Sequence, residues 1–242
     1  MATLRLFEVR GADVEFRPSP YCWRIRMALA HKGLAFEPVP WRAVDKERIA
    51  RSGGTTVPVL VDGTRWIGES WDIAVYLDQA YPGVPLFRDD ATMSKARELD
   101  MWVTRTLHPL LAQAMVVDQF PLLAPQDQAF YKQRTLTKFG KTLEELGAHP
   151  ERAIVEMRHA LAPVEAELRS DDYLGGASHD YRDYLLFGVL QCGRVTMTRA
   201  LVSESSEVGR WFSRMLDAFD GFGRAQPSRR HWECEQHRPA SD

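Results

Sequence analysis

The stretch SPYCWRIRMALAHKG, Ser19 to Gly33, decides how this chain folds. Ser19 is a natural helix cap, Pro20 suits the first helical position, and Ile25, Ala28, Leu29 and Lys32 recur at helical spacing before Gly33 stops the run. Just upstream, LRLFEV (Leu4 to Val9) puts Leu4, Leu6 and Glu8 on one face and Arg5, Phe7 and Val9 on the other, a strand without a clean hydrophilic side. A strand therefore enters a helix through a Ser-Pro-Tyr-Cys turn. Downstream, AFEPVPW predicts a second strand, confined to a sheet edge by Pro38 and Pro40. DKERIARSGG reads as a short polar helix ending at Gly53-Gly54. VPVLVDG is a strand closed by an Asp62-Gly63 turn and followed by TRWIG. Ser70, a good N-cap, opens the helix SWDIAVYLDQAYPG, which stops at Pro82-Gly83. The predicted order is β-α-β-α-β-β-α, an α/β unit with a mixed sheet.

The chain changes character after the connector GVPLFRDD (Gly83 to Asp90). Leu99, Trp102, Val103, Leu107, Leu110, Leu111, Ala114 and Met115 recur every three or four residues. So do Ile154, Met157, Leu161, Val164 and Leu168, and again Val208, Trp211, Phe212, Met215, Leu216 and Phe219. These are stripes of buried helices, interrupted at Pro109 and Pro163. The predicted domains are 1–84 (α/β) and 92–226 (all helical), with a polar, poorly ordered tail over 227–242.

At 242 residues, 45% hydrophobic and 26% charged, the chain has enough length to bury a core. A net charge of -2 gives no indication of a strongly basic nucleic-acid surface. The longest run without Asp, Glu, Lys or Arg, Thr106 to Val117, is too short for a bilayer. MATLRLFEVRGADVE lacks the pattern of a secretory signal. Cys22, Cys192 and Cys234 are odd in number and far apart, giving neither a disulfide framework nor a metal-ligand pattern. The expectation is a soluble cytoplasmic protein without a metal.

Three short motifs bear on chemistry. In thioredoxin-like proteins a Cys-x-x-Cys stands where Ser19-Pro20-Tyr21-Cys22 stands here, and the helix N-terminus stabilises a thiolate on the first Cys. A serine there cannot form a disulfide. It can cap the helix, or donate a hydrogen bond to a thiolate carried by a ligand. Cys22 reads most simply as a small buried residue. Val57-Pro58 opens a strand, and in cis would let Val57 pair with an extended peptide. Gly68-Glu69-Ser70 offers a carboxylate for an ammonium group and a helix N-terminus for a carboxylate, the two charges of an α-amino acid end.

Together with an all-helical second half, Ser19-Pro20-Tyr21, Val57-Pro58 and Glu69-Ser70 resemble a cytosolic glutathione transferase over nearly the whole chain. HDYRDYLLFG (His179 to Gly188) is similar to the capping box of that family's buried C-terminal helix, with Asp180 at the cap and Asp183 three residues on. Within the family, SPYCWRIRMALAHKGL and DYLLFGVLQCGRV resemble the bacterial β-etherase-like enzymes and their fungal relatives, in which Ser-Pro-Tyr is followed by Trp-Arg, as by Trp23-Arg24 here. No Tyr stands near the first strand as in the tyrosine-type classes, and Ser19 disfavours omega-like reductive chemistry.

The resemblance implies a thioredoxin-like N-terminal domain that binds glutathione as cosubstrate, followed by an all-α domain. It implies that Ser19 donates to the glutathione sulfur and that Val57, before a cis Pro58, pairs with the cysteinyl backbone. Glu69 and Ser70 would hold the γ-glutamyl end. Thr56 stands where many relatives carry a basic residue or Gln, so Lys46 or Arg42 would take the glycine carboxylate. Tyr21, Trp23, Trp102 and His108 would line a pocket for a hydrophobic, aromatic electrophile, an aryl ether being one candidate. Asp180 and Asp183 would be structural, and the protein a homodimer. Two further readings share this site: isomerisation or dehalogenation with glutathione as a true cofactor, and a non-catalytic glutathione or aromatic-ligand binder or regulatory protein.

Overall fold

The computed structural model describes residues 3–229; Cys234 and the tail beyond residue 229 lie outside the described residues. Strand β1 (Leu4–Val9) leads through a loop to α1 (Pro20–His31), followed by β2 (Phe36–Trp41). A 3-10 helix spans Lys46–Ser52, then come β3 (Val59–Asp62), β4 (Arg65–Gly68) and α2 (Ser70–Ala80). The sheet order is β2-β1-β3-β4, with β1 parallel to β2, and β3 antiparallel to β1 and β4. This is a thioredoxin-like mixed sheet, and the Pro-bearing β2 stands at its edge.

Two local readings change. Lys46–Ser52 winds as a 3-10 helix, with the buried Ile49 pinning one side of it to the sheet. At α2 the cap is Glu69, and Ser70 is the first helical residue. The expected capping serine thus lies one position inside the helix, because the chain turns at a left-handed φ of 61° on Glu69.

The second half is helical: α3 (Asp90–Trp102), a π-helical turn over Val103–Leu107, α4 (His108–Gln119), α5 (Pro125–Phe139), α6 (Leu143–Leu146), α7 (Pro150–Ala160), α8 (Ala162–Glu167), α9 (Tyr181–Thr196) and α10 (Glu207–Gly221). Pro109 lacks an N–H, and the widened turn just before it absorbs that missing bond. Pro163 sits in the first turn of α8, where no N–H is needed.

One hydrophobic core runs through both halves, from Leu6, Ile25 and Leu29 to Tyr184, Phe187 and Trp211. Helices α1 and α9 meet closely at Gly188, where a Cβ would lie 2.3 Å from the Pro20 carbonyl oxygen. The first half also buries charge. Glu8, on the core-facing side of β1, has no exposed surface, and it accepts from Arg26 at 2.8 Å and lies 3.5 Å from Arg17.

Candidate functional site

Strand register sets Val57-Pro58 and Glu69-Ser70 at one end of the sheet, and the loop that leaves the same end of β1 leads to Ser19. Phe7 pairs with Val39 on one side and with Val59 on the other, and Val59 pairs with Gly68. Just beyond this row β1 leaves toward Ser19, β3 enters from Val57-Pro58, β4 leaves into Glu69-Ser70, and β2 leaves at Trp41 toward Arg42 and Lys46. The Val57-Pro58 peptide bond is cis.

At Ser19 the backbone is extended (φ -86°, ψ 121°) and the side-chain Oγ accepts from the Cys22 N–H at 3.2 Å. It therefore caps α1. Accepting that bond uses a lone pair and leaves the hydroxyl hydrogen for a further acceptor at the positive end of the helix. The protein's own described thiols do not compete. Burial, reinforced by the Glu8 charge, pushes Cys22 up to about 12, and burial pushes Cys192 up to about 12.

Glu69 uses its side chain for no cap bond, and the side chain is exposed. The first-turn amides of α2 thus have no side-chain acceptor beside an outward carboxylate. Tyr181, the first residue of α9, donates its phenol proton to the Ser70 carbonyl at 3.0 Å, so the helical half holds this corner from behind. Arg42 is engaged with Asp45, at 3.2 Å through both Nε and Nη2. Lys46 is exposed, with its ammonium 5.1 Å from the centre of the Phe130 ring on α5. Among the described residues no group of His, Cys, Asp and Glu is arranged to hold a metal ion, and no helix is long and apolar enough to cross a membrane.

Two family models match: glutathione S-transferase N-terminal domain over residues 14–85, and glutathione S-transferase C-terminal domain over 97–222. The chain belongs to the glutathione S-transferase family. A probable glutathione S-transferase of rice (Oryza sativa subsp. indica) is 31% identical over 170 residues, 67% of this chain and 64% of its own length, so the chain spans under two thirds of that relative. A stringent starvation protein A homolog of Pasteurella multocida is 32% identical over 97 residues, 39% of this chain and 46% of its own. The crystal structure of a Ceriporiopsis subvermispora glutathione S-transferase in complex with glutathione superposes with a TM-score of 0.70 at 20% identity, covering 99% of this chain and 100% of that one.

In this member of the family the four expected pocket residues separate. Tyr21 and His108 come together across the two halves: Tyr21 Oη and His108 Nδ1 are 2.8 Å apart, with the rings edge to face. Burial, with the Arg24 charge adding to it, holds His108 down at about 3, so its ring is neutral. Trp102 ends α3 and is half-buried against the core. Trp23 is a correction. Its ring is fully buried, donates Nε1–H to the Arg17 carbonyl at 2.9 Å, and packs against Phe187 and Phe222. It is one residue off the face that carries Tyr21 and Arg24, and so points into the core.

Sequence reading noted Arg24 only as part of the Trp-Arg motif and passed over Asp100. Arg24 is buried, pairs with Asp100 Oδ1 at 2.7 Å, and lies 4.7 Å from the centre of the Tyr21 ring. Its position three residues after Tyr21 on one helix was the available signal. The capping residues of α9 are seated in place: Asp180 accepts from Arg182 N–H at 2.8 Å, and Asp183 Oδ2 accepts from Asp180 N–H at 2.9 Å.

Proposed function

We propose that this glutathione S-transferase binds glutathione at the sheet end and uses its thiolate to attack a hydrophobic, aromatic electrophile. The observation that carries the reading is that register sets Val57-Pro58, with its cis bond, and Glu69-Ser70 at the sheet end from which β1 leads to Ser19. In this reading Val57 pairs with the cysteinyl backbone, and Glu69 takes the γ-glutamyl ammonium. Ser70 and the open first turn of α2 take its carboxylate, and Lys46 takes the glycine carboxylate. Ser19 donates its hydroxyl hydrogen to the sulfur. A free thiol titrates near about 8.5, and each unit of depression is about 1.36 kcal/mol in favour of thiolate. The thiolate attacks carbon and expels a leaving group, an aryl ether with its departing phenoxide being the electrophile class we favour. We place the enzyme in the cytoplasm as a two-fold homodimer.

Ser19→Ala tests this. It should raise the pKa of bound glutathione and cut turnover at neutral pH, with the loss shrinking as pH rises and bulk base makes the thiolate unaided. A second reading, a non-catalytic regulatory protein on the same fold, is favoured by the capping bond Ser19 already makes. An unmoved pH profile in Ser19→Ala, or no turnover with glutathione bound, selects it.

A further inference from the structure

The contact between Tyr21 and His108 has a direction that the geometry sets. A neutral imidazole carries one proton, on Nδ1 or on Nε2. His108 Nε2 is buried and has no partner, whereas Nδ1 lies 2.8 Å from Tyr21 Oη. A buried N–H without an acceptor is rarer and costlier than a bare ring lone pair beside apolar groups. The proton therefore belongs on Nδ1, where it is donated to the Tyr21 oxygen. With one lone pair so occupied, Tyr21 keeps its own O–H to give away.

Other neighbours favour release of that proton. The Arg24 guanidinium over the ring stabilises a phenolate, and its Nε and Nη2 are buried without partners. Against this, burial raises the phenol, and the Asp100 and Glu69 charges raise it further, so Tyr21 is protonated at neutral pH. A protonated phenol held by a donor and a cation is suited to general acid catalysis. It sits two residues beyond Ser19 on the first turn of α1, half-buried between the two halves.

We infer that Tyr21 protonates the oxygen of a departing alkoxide or phenoxide, with His108 as its positioning residue, so that the site is built for electrophiles with an oxygen leaving group. This rests on the function proposed above. The glutathione thiolate forms the S–C bond as the C–O bond breaks. The electron pair of that bond goes to oxygen, which takes the Tyr21 proton. The Tyr21 phenolate, held by His108 Nδ1–H and Arg24, is reprotonated by water, and the products are a thioether and an alcohol or phenol.

The test compares glutathione-dependent cleavage of substituted α-aryloxyacetophenones with that of phenacyl chloride, whose leaving chloride needs no proton. Tyr21→Phe should lower the ratio of ether to chloride turnover by about 10²-fold and make the ether rates depend more steeply on leaving-group basicity. His108→Leu should move the ratio the same way, and His108→Asn, which keeps a donor at the Nδ1 position, should restore much of it. Nitrogen NMR of the unmodified protein should show the Nδ1–H tautomer of His108 at neutral pH. An equal slowing of ether and chloride in Tyr21→Phe, an Nε2–H tautomer, or no ether cleavage with glutathione bound overturns the inference. Failure to bind glutathione in calorimetry would instead overturn the underlying function.

Discussion

The phenol of Tyr181 donates to the main-chain carbonyl of Ser70 at 3.0 Å, a fully buried bond between the first turn of α9 and the first turn of α2. The residue that opens the most buried helix of the second half therefore steadies the corner that presents Glu69. Tyr181→Phe keeps the ring packing against Trp71 and Phe87 and removes only the bond. It should cost about 1 kcal/mol in urea unfolding. Glutathione affinity should also fall, a few-fold in calorimetry, as the corner loosens.

Glu69 holds a φ of 61°, which L-residues adopt at a cost. Two substitutions separate its backbone strain from its charge. Glu69→Ala should weaken glutathione by about tenfold or more, the scale for losing a charged, hydrogen-bonded partner of about 1.5–3 kcal/mol, with stability little changed. Glu69→Gly should weaken glutathione equally while raising thermal stability by about 1 kcal/mol, because glycine relieves the strain. Equal affinity of both variants and the parent would remove Glu69 from the ammonium site.

Asp183 is buried and accepts four donors: Leu174 N–H (2.9 Å), Gly175 N–H (3.0 Å), Asp180 N–H (2.9 Å) and Trp211 Nε1–H (2.7 Å). Burial, with the Asp180 charge adding to it, pushes its carboxyl up to about 6, while the Asp180, Trp211 and Leu174 donors pull it back. Asp183→Ala should destabilise the fold by about 3 kcal/mol or more, since the donors are left in a dry interior. Asp183→Asn, with one acceptor oxygen and an amide turned on two donors, should fall between. A loss under about 1 kcal/mol in denaturant titration would mean that water replaces the carboxylate.

His31 and His179 share one hydroxyl: Tyr184 Oη lies 2.5 Å from His31 Nδ1 and 2.9 Å from His179 Nδ1. Burial, with the charges of His179 and Lys32 adding to it and Asp78 opposing, holds His31 down at about 4. Burial lowers His179 and holds His108 at about 3. Each folded value lies below the ordinary 6.5, so the unfolded chain binds more protons across that window. The contribution is fully present above pH 6.5 and is lost as pH falls through the folded values. Urea midpoints should therefore drop from neutral pH toward about pH 4. His31→Gln should flatten that drop; an equally steep drop would assign it to other groups.

Much of this protein is legible in its residues taken in order. Period and punctuation set β1, α1, the Pro-bearing edge strand, the Asp62-Gly63 turn and the helical second half, because apolar spacing, Pro and Gly act over a few neighbours. The capping pair Asp180 and Asp183 is legible through the resemblance to the family's capping box. Ser19, Val57-Pro58 and Glu69-Ser70 are visible as motifs, but that Val57-Pro58 and Glu69-Ser70 share one sheet end is decided by register, which places Phe7, Val59 and Gly68 in one row. Where the chain must turn sharply, local propensity loses: Glu69 takes the cap although Ser70 is the better capping residue. Side-chain direction is likewise tertiary. Tyr21, Trp23 and Arg24 are consecutive or nearly so, yet packing against α9 turns Trp23 into the core and leaves Tyr21 to meet His108. Contacts between Tyr21 and His108, or Ser70 and Tyr181, join residues far apart in the chain, and only burial of one shared core brings them within hydrogen-bond reach.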